Sequence, residues 1–317
     1  MRHDSALIFD IHRGTTHDGP GLRSTAFFKG CPLNCLWCHN PEGILPQQQI
    51  WWDSAKCIGC LSCQGSCGYG SIYTDESGIH IDDKHCVRCL QCVKVCPSKA
   101  LSPIGRYYTL EEAAAELLKD KDYYKLSGGG ITVSGGEPML QHDFILNLFV
   151  RMKEEHVTTA LDTCGYARYE DYARLFPYTD YFLYDIKLFD DAAHQRYTGK
   201  SNQLILDNFK KLIEAKRSGD GQFTIWVRTP LIPNTTASEE NLTAIAHLLS
   251  PYLGNEVERW ELCAFNNSCV RKYRKLEQDW YYAQERALKR EEADQLLQCI
   301  LDKGLDPSRV ILTGILV

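Results

Sequence analysis

The sequence predicts an α/β protein, an open, partial (β/α)6 barrel interrupted by a small cysteine-rich domain. Three observations carry that reading. From Ile131 onward, short strand-like apolar runs alternate with amphipathic helical stretches, the pattern of parallel strands joined by crossover helices. Counting from Ser24 there are six main strands, too few for a closed eight-stranded barrel. Between Trp51 and Pro103 the cysteine density rises abruptly. The expected division is a barrel formed by residues 1–50 and 104–317, with residues 51–103 inserted into it.

Ala6–Ile11 reads as a short strand, followed by the turn-rich Arg13–Gly21, whose Asp18-Gly19-Pro20-Gly21 suits neither strand nor helix. The apolar run Ser24–Lys29 is the next strand and leads directly into Gly30–Pro41. After the insertion, Thr109-Leu110-Glu111-Glu112 is a capping box opening a helix to about Leu126, which Ser127-Gly128-Gly129-Gly130 ends. Ile131–Ser134 is a strand, and Leu140, Phe144, Leu148 and Met152 mark one face of the helix after it. Further strands are expected at Thr158–Asp162, Tyr181–Lys187, Phe223–Leu231 and Val257–Phe265. Helices are expected near Tyr169 and over Leu206–Arg217, Ser238–Ser250 and Arg290–Lys303.

The chain has 317 residues, with 41 Asp and Glu against 35 Lys and Arg, and no basic run, so no nucleic-acid partner is expected. No apolar stretch approaches the roughly 18 residues of a membrane span, and no secretory leader is read at the N-terminus, so the expected location is cytoplasmic. Fifteen cysteines in that reducing compartment argue for metal ligation rather than disulfides. Eleven of them fall in three tight motifs.

Cys31, Cys35 and Cys38 form C-x3-C-x2-C at the end of the Ser24–Lys29 strand. Structural zinc and cubane iron–sulfur clusters both take four protein ligands as a rule, so three thiolates leave one position open for chemistry. A zinc loop completed by His39 or a distant residue, or three core cysteines, are the alternatives. Cys57, Cys60, Cys63 and Cys67 give C-x2-C-x2-C-x3-C, which Cys86, Cys89, Cys92 and Cys96 repeat. This is the bacterial ferredoxin pattern, in which the fourth cysteine of each run ligates the other cluster. On that rule Cys57, Cys60, Cys63 and Cys96 hold one [4Fe–4S] cluster, and Cys86, Cys89, Cys92 and Cys67 hold the second. A pair of zinc sites is the alternative. Cys67 is followed by Gly68, where such runs place Pro. So small a ferredoxin-like domain needs its clusters in place of a hydrophobic core.

In parallel α/β folds, reacting groups collect at the C-terminal ends of strands. Ser134-Gly135-Gly136-Glu137-Pro138 stands at one such end, with glycines that let backbone approach a ligand and a carboxylate suited to an ammonium group. A turn before a helix is the plain alternative. Asp162-Thr163-Cys164-Gly165 and Asp185-Ile186-Lys187 end the next two strands, and alternation puts Asp185 and Lys187 on one face as a possible ion pair. Arg228, in Trp226-Val227-Arg228-Thr229-Pro230, and Asn266, in Cys263-Ala264-Phe265-Asn266, follow. Cys299, beside Leu296 and Ile300 on an amphipathic helix, reads as core, and Cys164 as a plain loop thiol. Cys263 and Cys269 are without assignment.

The spacing C-x3-C-x-aromatic-C, with Trp37 as the aromatic, resembles the signature of the radical S-adenosylmethionine (radical SAM) superfamily. Together with His17-Asp18-Gly19-Pro20-Gly21-Leu22-Arg23, the chain resembles the glycyl radical enzyme activating enzymes from about Ala6 to Val317. Its insertion resembles that of the subset carrying a ferredoxin-like domain. The resemblance implies that Cys31, Cys35 and Cys38 hold the cluster that cleaves S-adenosylmethionine. It implies cofactor contacts from Trp37, Gly135, Gly136, Glu137, Lys187 and Arg228. It further implies a monovalent cation on Asp162, Thr163 and Asp185. Asn266 stands where the best-known member has His, and both side chains can hydrogen-bond a ribose or adenine. The partners implied are a glycyl radical enzyme, presenting a C-terminal glycine loop, and a flavodoxin or ferredoxin reductant. The loop around Asp18 is expected near the bound protein. Two other functions fit the residues: a radical SAM enzyme acting on a small molecule or peptide, and a ferredoxin-like electron carrier without catalysis.

Overall fold

The computed structural model describes residues 5–316. Thirteen strands follow in chain order: β1 (Ser5–Thr15), β2 (Arg23–Phe28), β3 (Gln49–Trp52), β4 (Ile72–Asp75), β5 (Gly78–Ile81), β6 (Leu101–Ile104), β7 (Arg106–Thr109), β8 (Gly130–Gly135), β9 (Thr158–Thr163), β10 (Tyr181–Asp185), β11 (Thr224–Leu231), β12 (Val257–Ala264) and β13 (Val310–Thr313). Nine of them form one sheet in the order β13-β12-β11-β10-β9-β8-β2-β1-β7. The six expected strands are its parallel centre, β2 and β8–β12. The expectation missed β13, which adds a seventh parallel strand beside β12. Val310–Thr313 is only four residues long, too short for periodicity to register. β1 and β7 extend the other edge as antiparallel neighbours.

The sheet curls. β2 and β12 are five strand spacings apart, about 24 Å along a flat sheet. Yet Phe265, just past β12, packs its ring 5.7 Å from the ring of His39, just past β2 and its loop. The curl gathers the C-terminal strand ends into one mouth, while the sheet's edges, β13 and β7, lie at opposite ends of the strand order. Outside the curl, the helix His142–Glu154 buries Phe144, Ile145, Leu148, Phe149 and Met152, the helical spacing expected of a face against a sheet. Leu140 is the exception to the predicted face, being 48% exposed in the turn before that helix. The helix expected over Leu110–Leu126 is broken by a tight turn at Leu118–Asp120 into two pieces, although Thr109 and Glu112 form the reciprocal cap. Cys299 is half-buried rather than core.

The loop between β1 and β2 packs backbone against backbone under the barrel. A side chain on Gly129 would meet the Leu22 carbonyl oxygen at 1.9 Å, so that position admits only glycine. Arg23, fully buried, plugs the bottom of the barrel. Its guanidinium donates to Thr132 Oγ1 (2.7 Å), Thr158 Oγ1 (3.2 Å), the carbonyl of Pro20 (3.2 Å) and the carbonyl of Ile131. Burial pulls its pKa down to about 10, so the charge is held by neutral oxygens. Replacing Arg23 with Met leaves those acceptors buried without donors, and is expected to cost about 2–4 kcal/mol, read as a lower denaturation midpoint. A midpoint unchanged from wild type contradicts the plug.

Residues 49–104 begin and end in an antiparallel ribbon, β3 with β6, tied to the barrel by Lys29 Nζ donating to Gln49 Oε1 at 3.0 Å. The repeat seen in the cysteines is also a repeat of backbone. Each run contains a left-handed leucine, Leu61 (φ 56°) or Leu90 (φ 60°), followed by a one-turn helix, Ser62–Gly65 or Gln91–Val95. The apolar cluster here is small, and Cys63 and Cys92 are two of its six buried members. Among the described residues no helix is long and apolar enough to cross a membrane.

Candidate active site

A cavity of about 270 Å³ opens at the C-terminal ends of β2 and β8–β12. Cys31, Cys35, Trp37 and Cys38 form one wall. Gly135, Gly136, Asp162, Thr163, Asp185, Lys187 and Arg228 come to it from four successive strand ends. Residues more than 200 positions apart in sequence thus share one space, as the strand-end reading expects.

The wall is charged in a particular way. Lys187 Nζ is paired with Asp185. Burial alone would lower the Lys187 pKa, but Asp185 and the neighbouring Cys35 and Cys164 outweigh it, and the ammonium is held charged. Burial pushes the Cys35 thiol up to about 12 and Cys38 higher still, while Lys187 opposes the rise at Cys35. Cys31 is held below the ordinary thiol value, first by the Cys164 thiol. Asp162 accepts from Ser134 Oγ at 2.6 Å and from Arg228 Nη1 at 3.3 Å, and Arg228 Nε lies 3.5 Å from Glu261. Burial still raises the Asp162 pKa to about 6.

That rise makes a signed prediction. A carboxylate whose folded pKa lies above its unfolded value of about 3.9 binds its proton more tightly when folded, so its contribution to stability falls as pH rises from about 4 to 6. Above pH 6 the ionised group costs at most about 3 kcal/mol. Asp162→Asn is therefore expected to raise the denaturation midpoint at pH 7.5 and to remove this part of the pH dependence. A lower midpoint in the variant contradicts it.

Several sequence expectations change in detail. Glu137 is fully buried and does not line the cavity. Its carboxylate accepts from Met139 N (3.0 Å), Cys164 N (2.7 Å) and Thr163 Oγ1 (2.9 Å to each oxygen), so it fixes the β9 strand end from behind. The glycines before it, which line the cavity, also let backbones pack closely, since a Cβ on Gly136 would meet the carbonyl oxygens of Gly30 and Gly43 at 2.2 and 2.5 Å. Asn266 lies outside the cavity, its Oδ1 accepting from Ser268 N at 3.1 Å in a local turn. The three residues expected at a cation, Asp162, Thr163 and Asp185, all line the cavity; the Thr163 hydroxyl is hydrogen-bonded to Glu137 and Tyr172, and Asp185 is paired with Lys187. In the loop before Asp18, the His17 carbonyl accepts from Arg228 at 3.4 Å.

Sequence reasoning missed a strap, residues 269–282, that holds the cysteine loop by its carbonyls. Tyr273 Oη donates to the Cys38 carbonyl (2.9 Å) and Trp280 Nε1 to that of Leu36 (3.0 Å). Lys272 Nζ donates to the His39 carbonyl (3.0 Å) and pairs with Glu42 (2.7 Å). Beyond it, Lys275 and Glu277 reach the insertion at Trp51, Asp53 and His80. The density of Trp and Tyr over Tyr273–Tyr282, after the last expected strand, was the available signal. Trp280→Phe keeps the ring and removes the donor. An unpaired buried carbonyl costs about 1–2 kcal/mol, so the variant is expected to be less stable by that much, read as a lower urea midpoint. An unchanged midpoint contradicts the clamp.

The insertion cysteines fall into two groups. Cys57, Cys60, Cys63 and Cys96 line one small cavity, and Cys67, Cys86, Cys89 and Cys92 another. The fourth cysteine of each run thus sits with the other run. Among the described residues no three His, Cys, Asp or Glu side chains converge as ligands of a single ion do, and the sulfurs frame spaces instead. All fifteen cysteines are free. At the main cavity, His39 Nε2 is buried with no protein partner, and burial followed by Lys272 keeps that ring neutral. Three half-buried cysteines lining the cavity, an orphaned imidazole nitrogen and a facing set of charges fit an iron–sulfur cluster with a polar, amino-acid-like ligand beside it.

Residues 25–244 match the family model of the radical SAM superfamily, and the chain belongs to that superfamily, whose members use a [4Fe–4S] cluster and S-adenosylmethionine. Over 272 residues it is 39% identical to the (2S)-3-sulfopropanediol dehydratase activating enzyme of Klebsiella oxytoca, covering 84% of each chain. It is 39% identical over 252 residues to the isethionate sulfite-lyase activating enzyme of Nitratidesulfovibrio vulgaris, covering 78% of this chain and 81% of the relative. The indoleacetate decarboxylase activating enzyme of Tractidigestivibacter scatoligenes is 38% identical over 251 residues, 76% of this chain and 78% of the relative. Within the superfamily, the chain is one of the activating enzymes of glycyl radical enzymes.

Proposed function

We propose that this protein activates a glycyl radical enzyme of the dehydratase, lyase or decarboxylase type, at the cavity bounded by Cys31, Cys35 and Cys38. The observation that carries the reading is the convergence of that cysteine loop with the ends of β8–β11 on one space. A [4Fe–4S] cluster held there and supplied with one electron would cleave S-adenosylmethionine to methionine and a 5′-deoxyadenosyl radical, the chemistry needed to take a hydrogen atom from a glycine of the partner.

The residues of the chain have separable tasks. Cys31, Cys35 and Cys38 would hold the cluster by three sulfurs, leaving a corner for the cofactor's amino and carboxylate groups. Arg228 and Lys187 offer cations to a carboxylate, and Asp162 an anion to an ammonium. Trp37 belongs to an apolar cluster with Phe265, Tyr273 and Trp280 that walls off the back of the loop from water. The open sheet leaves a way in for the partner's glycine loop, which must come within roughly 3–3.5 Å of the reacting carbon.

The insertion would act as a ferredoxin-like domain over residues 51–103, carrying two further [4Fe–4S] clusters on the two cysteine groups. Cluster potentials vary widely with environment, so these can pass electrons from a flavodoxin or ferredoxin toward the barrel. Such chemistry suits the cytoplasm, where thiols stay reduced.

The test is electron paramagnetic resonance of the reconstituted, reduced protein mixed with S-adenosylmethionine and candidate partners. A glycyl radical doublet in one partner, with 5′-deoxyadenosine formed in step, is the expected result. Formation of 5′-deoxyadenosine with a peptide or small molecule, and no radical in any partner, would overturn it.

A further inference from the structure

The first cysteine group of the insertion opens to solvent through side chains that also wall it. Ile58 and Leu61 line its cavity, yet they are 67% and 48% exposed, and Cys60, between them in sequence, is exposed too. A group held on these sulfurs lies directly beneath the surface there. Lone exposed apolar residues are ordinary, but two of them beside an exposed cysteine of the group make a small apolar centre.

The charge around that centre is one-sided. The segments that supply the cavity's cysteines, residues 54–63 and 96–101, carry Lys56 and Lys99 and no Asp or Glu. Both lysines are exposed. The neighbouring Asp53 lies 3.9 Å from Lys56 and 3.7 Å from Lys275, so a second cation shares it. The second cysteine group differs: residues 67–92 around it carry Asp75, Glu76, Asp82 and Asp83 against Lys84 and Arg88. The first mouth is thus locally basic on a chain whose formal net charge is −6.

We propose that this face, Ile58, Cys60 and Leu61 with Lys56 and Lys99 at its rim, is where an acidic one-electron carrier protein docks. Each feature has a task in that role. An exposed ligand edge shortens the electron's path, the apolar pair excludes water at the contact, and the lysines draw in and orient an anionic partner. Electron-transfer encounters use small interfaces, and complementary charge raises their on-rate more than their affinity. A second copy of this chain is a poor occupant, because a two-fold contact would set lysine against lysine. The glycyl radical enzyme must instead reach the barrel cavity, which none of these residues lines. The inference rests on the reading that the cysteine groups of the insertion hold clusters that accept electrons.

The experiment is stopped-flow reduction of the full-length reconstituted protein by reduced flavodoxin and by reduced ferredoxin, both acidic, over a range of salt. Wild type is compared with the double variant Lys56→Glu/Lys99→Glu and with Lys210→Glu, a change at an exposed lysine on the helix Gln203–Ser218 of the barrel. Excess dithionite first establishes that all three hold equal amounts of reducible cluster. With the carrier that reduces wild type faster, the double variant is expected to lose at least about tenfold in second-order rate constant at low salt, and the gap to narrow at about 0.5 M salt, where the charges are screened. Lys210→Glu is expected to change by less than about twofold. A loss under about threefold in the double variant, or an equal loss in Lys210→Glu, overturns the proposal. So does a wild type that neither carrier reduces. Iron in wild type sufficient for the barrel cluster alone would sink the underlying reading instead.

A second measurement on the wild-type protein needs neither variant nor turnover. A carbodiimide joins a lysine amine to a carboxylate as an amide, the reagent leaving as its urea, and peptide mapping then locates the bond. Links from Lys56 or Lys99 to the carrier are expected. Links from other lysines, with none from these two, contradict the docking face.

Discussion

Glu137→Ala is expected to destabilise the protein by about 3–5 kcal/mol and to abolish radical formation. The buried carboxylate is the shared acceptor of Met139 N, Cys164 N and the Thr163 hydroxyl. Truncation leaves two backbone N–H groups unpaired in a place water cannot reach and leaves the Thr163 hydroxyl with Tyr172 as its remaining side-chain partner, besides a void. Burial raises the Glu137 pKa, but the donors around it oppose that rise, and this balance depends on all of them being present. Glu137→Gln is expected to fall between, because its amide nitrogen must face a donor whichever way it is turned. The measurement is urea denaturation beside cofactor affinity. If Glu137 instead gripped the cofactor's ammonium in the cavity, Glu137→Gln would weaken cofactor binding and leave stability untouched.

Lys187→Met is the second large effect. Its ammonium pairs with Asp185, and it is the cation that opposes the rise of the Cys35 thiol and favours the anionic form of Cys31. Removing one member of a buried pair leaves an uncompensated charge, commonly about 3–5 kcal/mol. Part of that is relieved here, because Asp185 is 24% exposed and water can reach it. The functional loss is expected to be larger than the loss of stability: iron uptake at the cavity slowed, and 5′-deoxyadenosine formation down by at least a hundredfold. Lys187→Arg keeps the charge but not the shape, and is expected to recover iron uptake more than turnover. Normal turnover in Lys187→Met would contradict a role at the cavity.

Much of this architecture was legible because the signals are local. Strand runs such as Phe223–Leu231 declare themselves through alternation and bounding turns, and the structure places β11 at Thr224–Leu231. The grouping of Cys96 with the first cysteine run follows from a repeat within 51–103, again a local pattern. What stayed hidden depends on distance in sequence. The strap joins Trp280 to Leu36 across 244 positions, and nothing in either neighbourhood announces the other. Glu137 illustrates a different limit. Its motif marks the right strand end, but whether a carboxylate turns into the cavity or behind its wall is decided by the N–H groups of Met139 and Cys164, which only the folded chain brings to it. Cys164 read as a plain loop thiol for the same reason, since Cys31, which lines the same cavity, is 133 positions away along the chain.

The claim beneath all of this is that the cluster on Cys31, Cys35 and Cys38 has one iron free to bind a ligand. Electron–nuclear double resonance of the reduced protein, mixed with S-adenosylmethionine isotope-labelled in its amino and carboxylate groups, examines that iron directly. Hyperfine couplings from both labels to one cluster are the predicted result. Bound cofactor with no coupling to any cluster would contradict the account.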